Sequence, residues 1–484
     1  MNYKLMSRYL GRILFVEGIF MIPAVFISIY FDEWNAMRAL IISIAIIIMI
    51  SGVMYLIGRS AERVFYAREG LVCVGLSWVL LGLTGCIPFI ISKEIPNYID
   101  ALFETISGFT TTGASILNDV EGMSKGLLYW RSFTHWLGGM GVLVFVLAIT
   151  TGNDSKSGFT MHLLRAESPG TSVGKLVPRM KDTTRILYLM YILLTALDFA
   201  FLMFGDMPLF DAVCTAFGTA GTGGFGIKND SIAGYSPYIQ NVTTIFMFLF
   251  GVNFSCYYML AIRKVKQIVK DEEFRLYVGV AIVSIVIIAF NISGLYKTVG
   301  ESIRHAAFQV STVMTTTGFA TTDFDAWPAL SKSILFILML LGASAGSTGG
   351  GFKCGRLLLI IKSFKRSISK TIHPEKIQII RNNGNTVDEK TIAATNGYLV
   401  AYVIIILISF LIISFDGFSM ETNMSAVVAC FNNIGPGFDA VGATCNYAGF
   451  GVVSKLVLII DMLAGRLEIF PILVLLSANT WKKK

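Results

Sequence analysis

Charge is what this sequence has least of. Only 14% of its 484 residues are Asp, Glu, Lys or Arg, where soluble domains carry about 25%. With 54% hydrophobic residues, the composition excludes an ordinary soluble enzyme and implies an integral membrane protein. Histidine is scarce too. The four present, at 135, 162, 305 and 373, fall in four separate segments, which leaves no cluster to ligate a redox metal. The seven cysteines (73, 86, 214, 256, 354, 430 and 445) show no metal spacing, so neither a zinc site nor a disulfide framework is implied. A Walker A loop is missing, because no Gly-Lys-Ser/Thr triplet closes the glycine-rich run at 342–351. One G-x-G-x-x-G match exists, at Gly221, Gly223 and Gly226 in "CTAFGTAGTGGFG". It lacks the preceding strand and following helix that a dinucleotide-binding turn requires. No covalently bound cofactor is expected.

What the chain does have is long apolar runs, at 13–30, 36–57, 70–91, 130–148, 186–204, 242–262, 274–292, 331–361, 394–414 and 453–477. A helix crosses a bilayer core in about 20 residues, and these runs are too Leu/Ile-rich and too little alternating for barrel strands. The first is followed by "FDEWNAMR" and a second run, with no small-residue cleavage site, so it is read as a retained span. Basic residues gather at Lys4–Arg12, at Arg59–Arg68, in the linker 151–185, at Arg263–Lys270, in the loop 362–393 and at Lys482–Lys484. All fall on one side if each run crosses once. The positive-inside rule makes that side, and both termini, cytoplasmic. Asp100, Glu104, Asp119, Asp206, Asp211, Asp323, Asp325, Glu421 and Asp439 fall on the other. The net charge of +8 is thus a topology signal, and nucleic acid is not an expected partner.

Four external loops repeat one phrase: a bulky apolar residue, three small or polar residues, then glycine. They are Phe109–Gly113, Phe217–Gly221, Met314–Gly318 and Phe431–Gly435, recurring about every 100 residues, which marks one supersecondary unit. Each follows a half-apolar stretch ("YIDALFETISGF", "LFDAVCTAF", "ESIRHAAFQVSTVM", "METNMSAVVACF") too short to cross. Such stretches suit re-entrant half-helices, and the extended phrase after each is tolerated at depth only where it lines a cavity. The expected fold is an all-α integral membrane protein with four span–pore-helix–span repeats around a central pore, preceded by two extra spans. The boundaries are 1–65 for the extra spans, then 66–150, 151–265, 266–370 and 371–484. A ring of backbone carbonyls from four such phrases can replace the hydration shell of potassium. The expected filter is Thr111, Thr112 and Gly113; Thr219, Ala220 and Gly221; Thr316, Thr317 and Gly318; and Asn433, Ile434 and Gly435, with potassium as the transported ion.

The phrases "SGFTTTGAS" (107–115), "GTAGTGGFG" (218–226), "TTTGFATTDF" (315–324) and "NNIGPGF" (432–438), with "HWLGGMG" (135–141) and "GRLEIFP" (465–471), resemble the TrkH family. These are the membrane subunits of bacterial Trk potassium uptake systems in the Trk/Ktr/HKT superfamily, and the resemblance runs end to end. It implies a potassium-conducting pore in the cell's inner (plasma) membrane, a homodimer, and a cytosolic nucleotide-binding regulatory ring of the TrkA kind. Nucleotide is expected only on that partner. In the superfamily a serine in place of the first-repeat filter glycine marks sodium-favouring members; all four positions here are glycine.

Two further features lie inside apolar runs. The run Gly342–Gly351 should break its helix, and Gly346, Gly349, Gly350 and Gly351 would let it act as a flexible loop able to occlude the pore, as the resemblance also implies. Arg466 stands deep in the last run, where an arginine must face water or a partner. Asp461 or Glu468 could neutralise it, and the carbonyls and hydroxyls of the loop could accept from it. The loop and Arg466 together are read as a gate. His135 is read as a packed histidine. A proton- or sodium-coupled symporter using the same site stays open beside a gated channel.

Overall fold

The computed structural model describes residues 1–60, 67–139, 141, 180–375 and 377–482. Most of the linker 151–185, along with Arg63, Lys376 and the last two lysines, lies outside the described residues.

Helices account for nearly all of the order. The N-terminal pair is α1 (Tyr3–Phe20), continued by α2 (Ile22–Tyr30), and α3 (Trp34–Ile57). The Ser51 hydroxyl donates to the Gly11 carbonyl across this pair at 2.7 Å. The first repeat holds α4 (Ala67–Gly85), α5 (Ile87–Ile91), the half-length α6 (Tyr98–Phe109) and α7 (Lys125–Gly139). The second holds α8 (Met180–Phe204), the half-length α9 (Leu209–Gly221), α10 (Pro237–Phe250) and α11 (Phe254–Ala261). After the short α12 (Val265–Lys270), the third repeat runs α13 (Glu272–Asn291), α14 (Val299–Met314), α15 (Ala329–Leu341) and α16 (Cys354–Ile372). The fourth runs α17 (Glu389–Ile413), α18 (Met420–Phe431), α19 (Val452–Arg466) and α20 (Phe470–Leu476). Among the described residues six helical segments are long and apolar enough to cross a membrane, and α10 with α11 would make a seventh.

The surface is patterned for hydrocarbon. Val283, Val286, Phe290, Ile404 and Leu411 are exposed, while Ser43, Ser51, Ser284 and Ser409 on the same classes of helix are buried. Polar groups turned inward and apolar groups outward satisfy a solvent that offers no hydrogen bonds. The chain is therefore a multi-pass membrane protein.

Three features depart from the sequence expectation. The run 242–262 is not one straight crossing: α10 and α11 meet at 91°. The backbone groups freed at this break are taken up by the glycine-rich loop, since Ser344 N–H donates to the Gly251 carbonyl at 3.1 Å and Phe254 N–H to the Gly346 carbonyl at 3.0 Å. The last run is also broken, between Arg466 and Phe470, with Glu468 and Ile469 at positive φ. Finally, the all-α expectation misses a small antiparallel hairpin, Arg381–Asn382 with Asn385–Thr386. Asn383 and Gly384 form its turn, both at positive φ, as a type I′ turn demands. The Asn383 side chain docks on the start of α13, donating to Asp271 at 2.6 Å and accepting from Glu272 N–H at 2.9 Å.

Candidate functional site: a glycine ring and the loop beneath it

The four half-helices end alike. Thr111, Thr222, Thr316 and Asn433 each take a left-handed φ of 54 to 60°. The N–H of each of these donates three residues back, to Gly108, Thr219, Val313 and Cys430. The next N–H donates five back: Thr112 to Ser107, Gly223 to Gly218, Thr317 to Thr312 and Ile434 to Ala429, at 2.8–2.9 Å. This is the Schellman arrangement, made four times, and it turns the chain sharply out of each helix.

Two residues after each left-handed position stands a glycine at positive φ: Gly113 at 80°, Gly224 at 74°, Gly318 at 88° and Gly435 at 95°. A Cβ on Gly113 would fall on the Gly223 carbonyl, one on Gly224 on the Thr317 carbonyl, and one on Gly318 on the Ile434 carbonyl. One on Gly435 would lie 2.7 Å from the Thr112 carbonyl. Each glycine thus abuts the carbonyl that precedes the next glycine, and the circuit closes. A residue with a side chain would fail here on both backbone angle and space. All four glycines line one cavity, with Ser115, Lys228 and Asn446 on its walls.

The nine expected filter positions of repeats 1, 3 and 4 fall on the strands of this ring and the four expected loop glycines in the loop beneath it, but the second-repeat set is corrected. Thr219, Ala220 and Gly221 are the last residues of α9, and a Cβ on Gly221 would meet the His135 carbonyl and not a strand of the ring. Their places in the ring belong to Thr222, Gly223 and Gly224. The half-helix runs one turn further than the spacing suggested. Thr222–Phe225 shares the order Thr, any residue, Gly, Phe with Thr316–Phe319, and that was the signal available.

Side chains brace the ring from behind. The Thr110 and Thr112 hydroxyls lie 2.8 Å apart, as do those of Thr315 and Thr317. Asn433 donates to Thr112 Oγ1 and to the Met462 carbonyl, both at 3.0 Å. Glu104, expected among the external acids, is instead buried in α6 and paired with Arg131 at 2.6 Å. At the rim, Asp325 accepts from Asp439 N–H at 3.1 Å. Burial and the Asp323 charge push its carboxyl up to about 6. Asp439 lies low instead, held there by hydrogen bonds from Ser419 and Thr422.

The loop between α15 and α16 lies directly under the ring. Gly350 N–H donates to Thr316 Oγ1 at 2.7 Å. A Cβ on Gly349 would lie 2.9 Å from the Thr315 carbonyl, and one on Gly350 2.5 Å from that of Asn432. Gly346 and Gly351 are at positive φ. Arg466 donates to the Thr348 carbonyl at 2.8 Å and to Gly139 at 2.7 Å, with a further bond to Gly138. So the guanidinium joins loop to α7 through backbone carbonyls. Glu468 pairs with Lys353 at 2.6 Å and with Arg356, and Asp461 accepts from Ser409 at 2.8 Å. No cluster of His, Cys, Asp and Glu among the described residues could hold a metal.

A family profile described as TrkH, cation transport protein, matches residues 36–483. The chain belongs to the TrkH family. It is 34% identical over 492 residues to the Trk system potassium uptake protein TrkH of Salmonella typhimurium, covering all of both chains. It is 31% identical, again over both full lengths, to that of Halomonas elongata. The crystal structure of the potassium transporter TrkH from Vibrio parahaemolyticus superposes with a TM-score of 0.89 at 28% identity, covering 100% of each chain. TrkH proteins are cation transporters, so this chain is a transporter and not an enzyme.

Proposed function

We propose that this chain takes up potassium across the inner (plasma) membrane, with both termini cytoplasmic, through a gated pore whose filter is the ring at Gly113, Gly224, Gly318 and Gly435. The closed circuit of glycines and carbonyls carries the reading. Four backbone segments held at fixed spacing offer oxygens to a dehydrated cation, and the names of the relatives supply potassium as that cation. Thr111, Thr112, Thr222, Gly223, Thr316, Thr317, Asn433 and Ile434 supply the neighbouring carbonyls and hydroxyls. The half-helices aim their negative C-terminal ends at the same point. The loop 342–353 with Arg466 is the gate. A homodimer and a cytosolic nucleotide-binding ring complete the working assembly, and nucleotide binds only there. The relatives' names place them in Trk systems, which favours a partnered transporter. The test is cation flux in liposomes. Gly113→Ser puts a side chain onto the Gly223 carbonyl and should lower the potassium-to-sodium ratio; an unchanged ratio in well-folded protein overturns the filter assignment.

A further inference from the structure

The second filter strand lacks the support that repeats 1 and 3 have. Where repeats 1 and 3 carry paired threonines, Thr110 with Thr112 and Thr315 with Thr317, repeat 2 carries Gly221 and Gly223. No hydroxyl pair is possible there. The space is filled from elsewhere. A Cβ on Gly223 would fall on the ring of His135, with Cγ, Nδ1 and Cδ2 as its nearest atoms. His135 is fully buried and comes from α7, in the first repeat. Its Nε2 accepts from Phe225 N–H at 3.2 Å, the residue directly after the ring glycine. That leaves the proton on Nδ1, which donates to the Gly108 carbonyl at 2.8 Å. The imidazole therefore ties the second strand to the end of α6, and its ring centre lies 4.2 Å from that of Phe225.

One turn earlier on the same face of α7, Arg131 continues the brace. It donates to the Gly226 carbonyl at 2.9 Å, and its guanidinium carbon sits 3.5 Å from the centre of the Phe225 ring. Glu104 holds it in place. Gly223, Phe225 and Gly226 of one filter strand are thus covered by two side chains of a neighbouring repeat.

We propose that His135, backed by Arg131, is the positioning residue of the second filter strand, standing in for the missing threonine pair, and that potassium selectivity depends on it. This rests on the ring being the filter, which Gly113→Ser tests separately. The geometry makes a reciprocal prediction. The three atoms nearest a Cβ on Gly223 all belong to the His135 ring, so Gly223→Thr should clash while the imidazole is present and fit once it is gone.

The experiment is a double-variant cycle, with potassium and sodium flux measured on reconstituted full-length protein. His135→Ala alone should lower the potassium-to-sodium ratio by about tenfold, the weight of one buried hydrogen bond. Gly223→Thr alone should lower it at least as much. The pair His135→Ala with Gly223→Thr should recover most of the wild-type ratio, because the threonine regains the place its counterparts hold. A packing role without bearing on selectivity would leave the ratio untouched in each folded variant. The proposal is overturned if His135→Ala keeps the wild-type ratio, or if the double variant is no better than the poorer single one. Should His135→Ala fail to stay monodisperse on size exclusion, the double variant decides alone, through recovery or loss of both monodispersity and selectivity. A drop with Gly113→Ser and none across the cycle leaves the filter standing and removes His135 from it.

Discussion

Asp325 shows how single residues at the rim couple the repeats. Its carboxyl accepts from the backbone of Asp439 and lies 3.9 Å from Lys332, joining the outer loops of repeats 3 and 4. Because its pKa is raised from 3.8 to about 6, folding takes up a proton between those values. The stabilisation is fullest below about pH 4 and is lost as the pH rises through about 6. Thermal melting of the purified protein should therefore flatten over that window in Asp325→Asn; a slope identical to wild type would show that another group titrates there. Legibility in the sequence also turns on single residues. The phrase ending in Gly113, Gly318 or Gly435 could be read because each half-helix stops at the phrase. Gly221 misled because α9 runs on as far as Gly221, with Thr222 as its C-cap, and helix length by one turn is not encoded in a glycine count. His135 read as a packed residue, which it is. What it packs against depends on a contact between residues 90 apart in the chain, and no local pattern reports that.

Among the elements, the loop between α15 and α16 has the most to lose. Its first half fills the 91° break between α10 and α11, its middle accepts Arg466, and its end is pinned by Glu468. The break at 342–351 was legible from its glycines, and the depth of Arg466 from its apolar flanks. That the loop's own carbonyl would be the acceptor, with Glu468 engaged elsewhere, was not, since spacing offered Asp461 and Glu468 equally. Arg466→Ala, or deletion of 346–350, should raise potassium flux several-fold and weaken control by the partner; flux and control like wild type in monodisperse protein would refute the gate. Glu468→Gln makes a separate claim. It leaves Lys353 and Arg356 facing a neutral amide in a buried site, where breaking an ion pair costs about 3–5 kcal/mol. The expected readouts are a lowered melting temperature together with raised basal flux. Lowered stability with unchanged flux would confine Glu468 to the scaffold.

At the scale of the molecule, the expected architecture of four repeats behind two extra spans stands, with the spans themselves more broken than the apolar runs suggested. Breaks at 251–253, 342–353 and 467–469 all abut the pore axis elements, where unwound backbone finds partners in protein and not in lipid. The partner prediction belongs here. A cytosolic nucleotide-binding ring should shift open probability through the basic face, which includes the loop 362–393; if a purified ring neither co-elutes with the transporter nor changes flux on nucleotide addition, regulation lies elsewhere. Flux under opposed potassium and proton or sodium gradients separates a channel from a symporter, since only coupling moves potassium uphill.

The glycine ring is drawn from one chain, and its four strands differ: paired threonines in repeats 1 and 3, glycines beside a histidine in repeat 2, asparagines in repeat 4. In a pore assembled from identical subunits, any substitution enters all strands at once. Here each arrives singly, at a quarter of the dose. A lineage can therefore tune ion preference in small steps, one strand at a time, and a damaging change in one strand leaves three intact against which a second, compensating change can be selected.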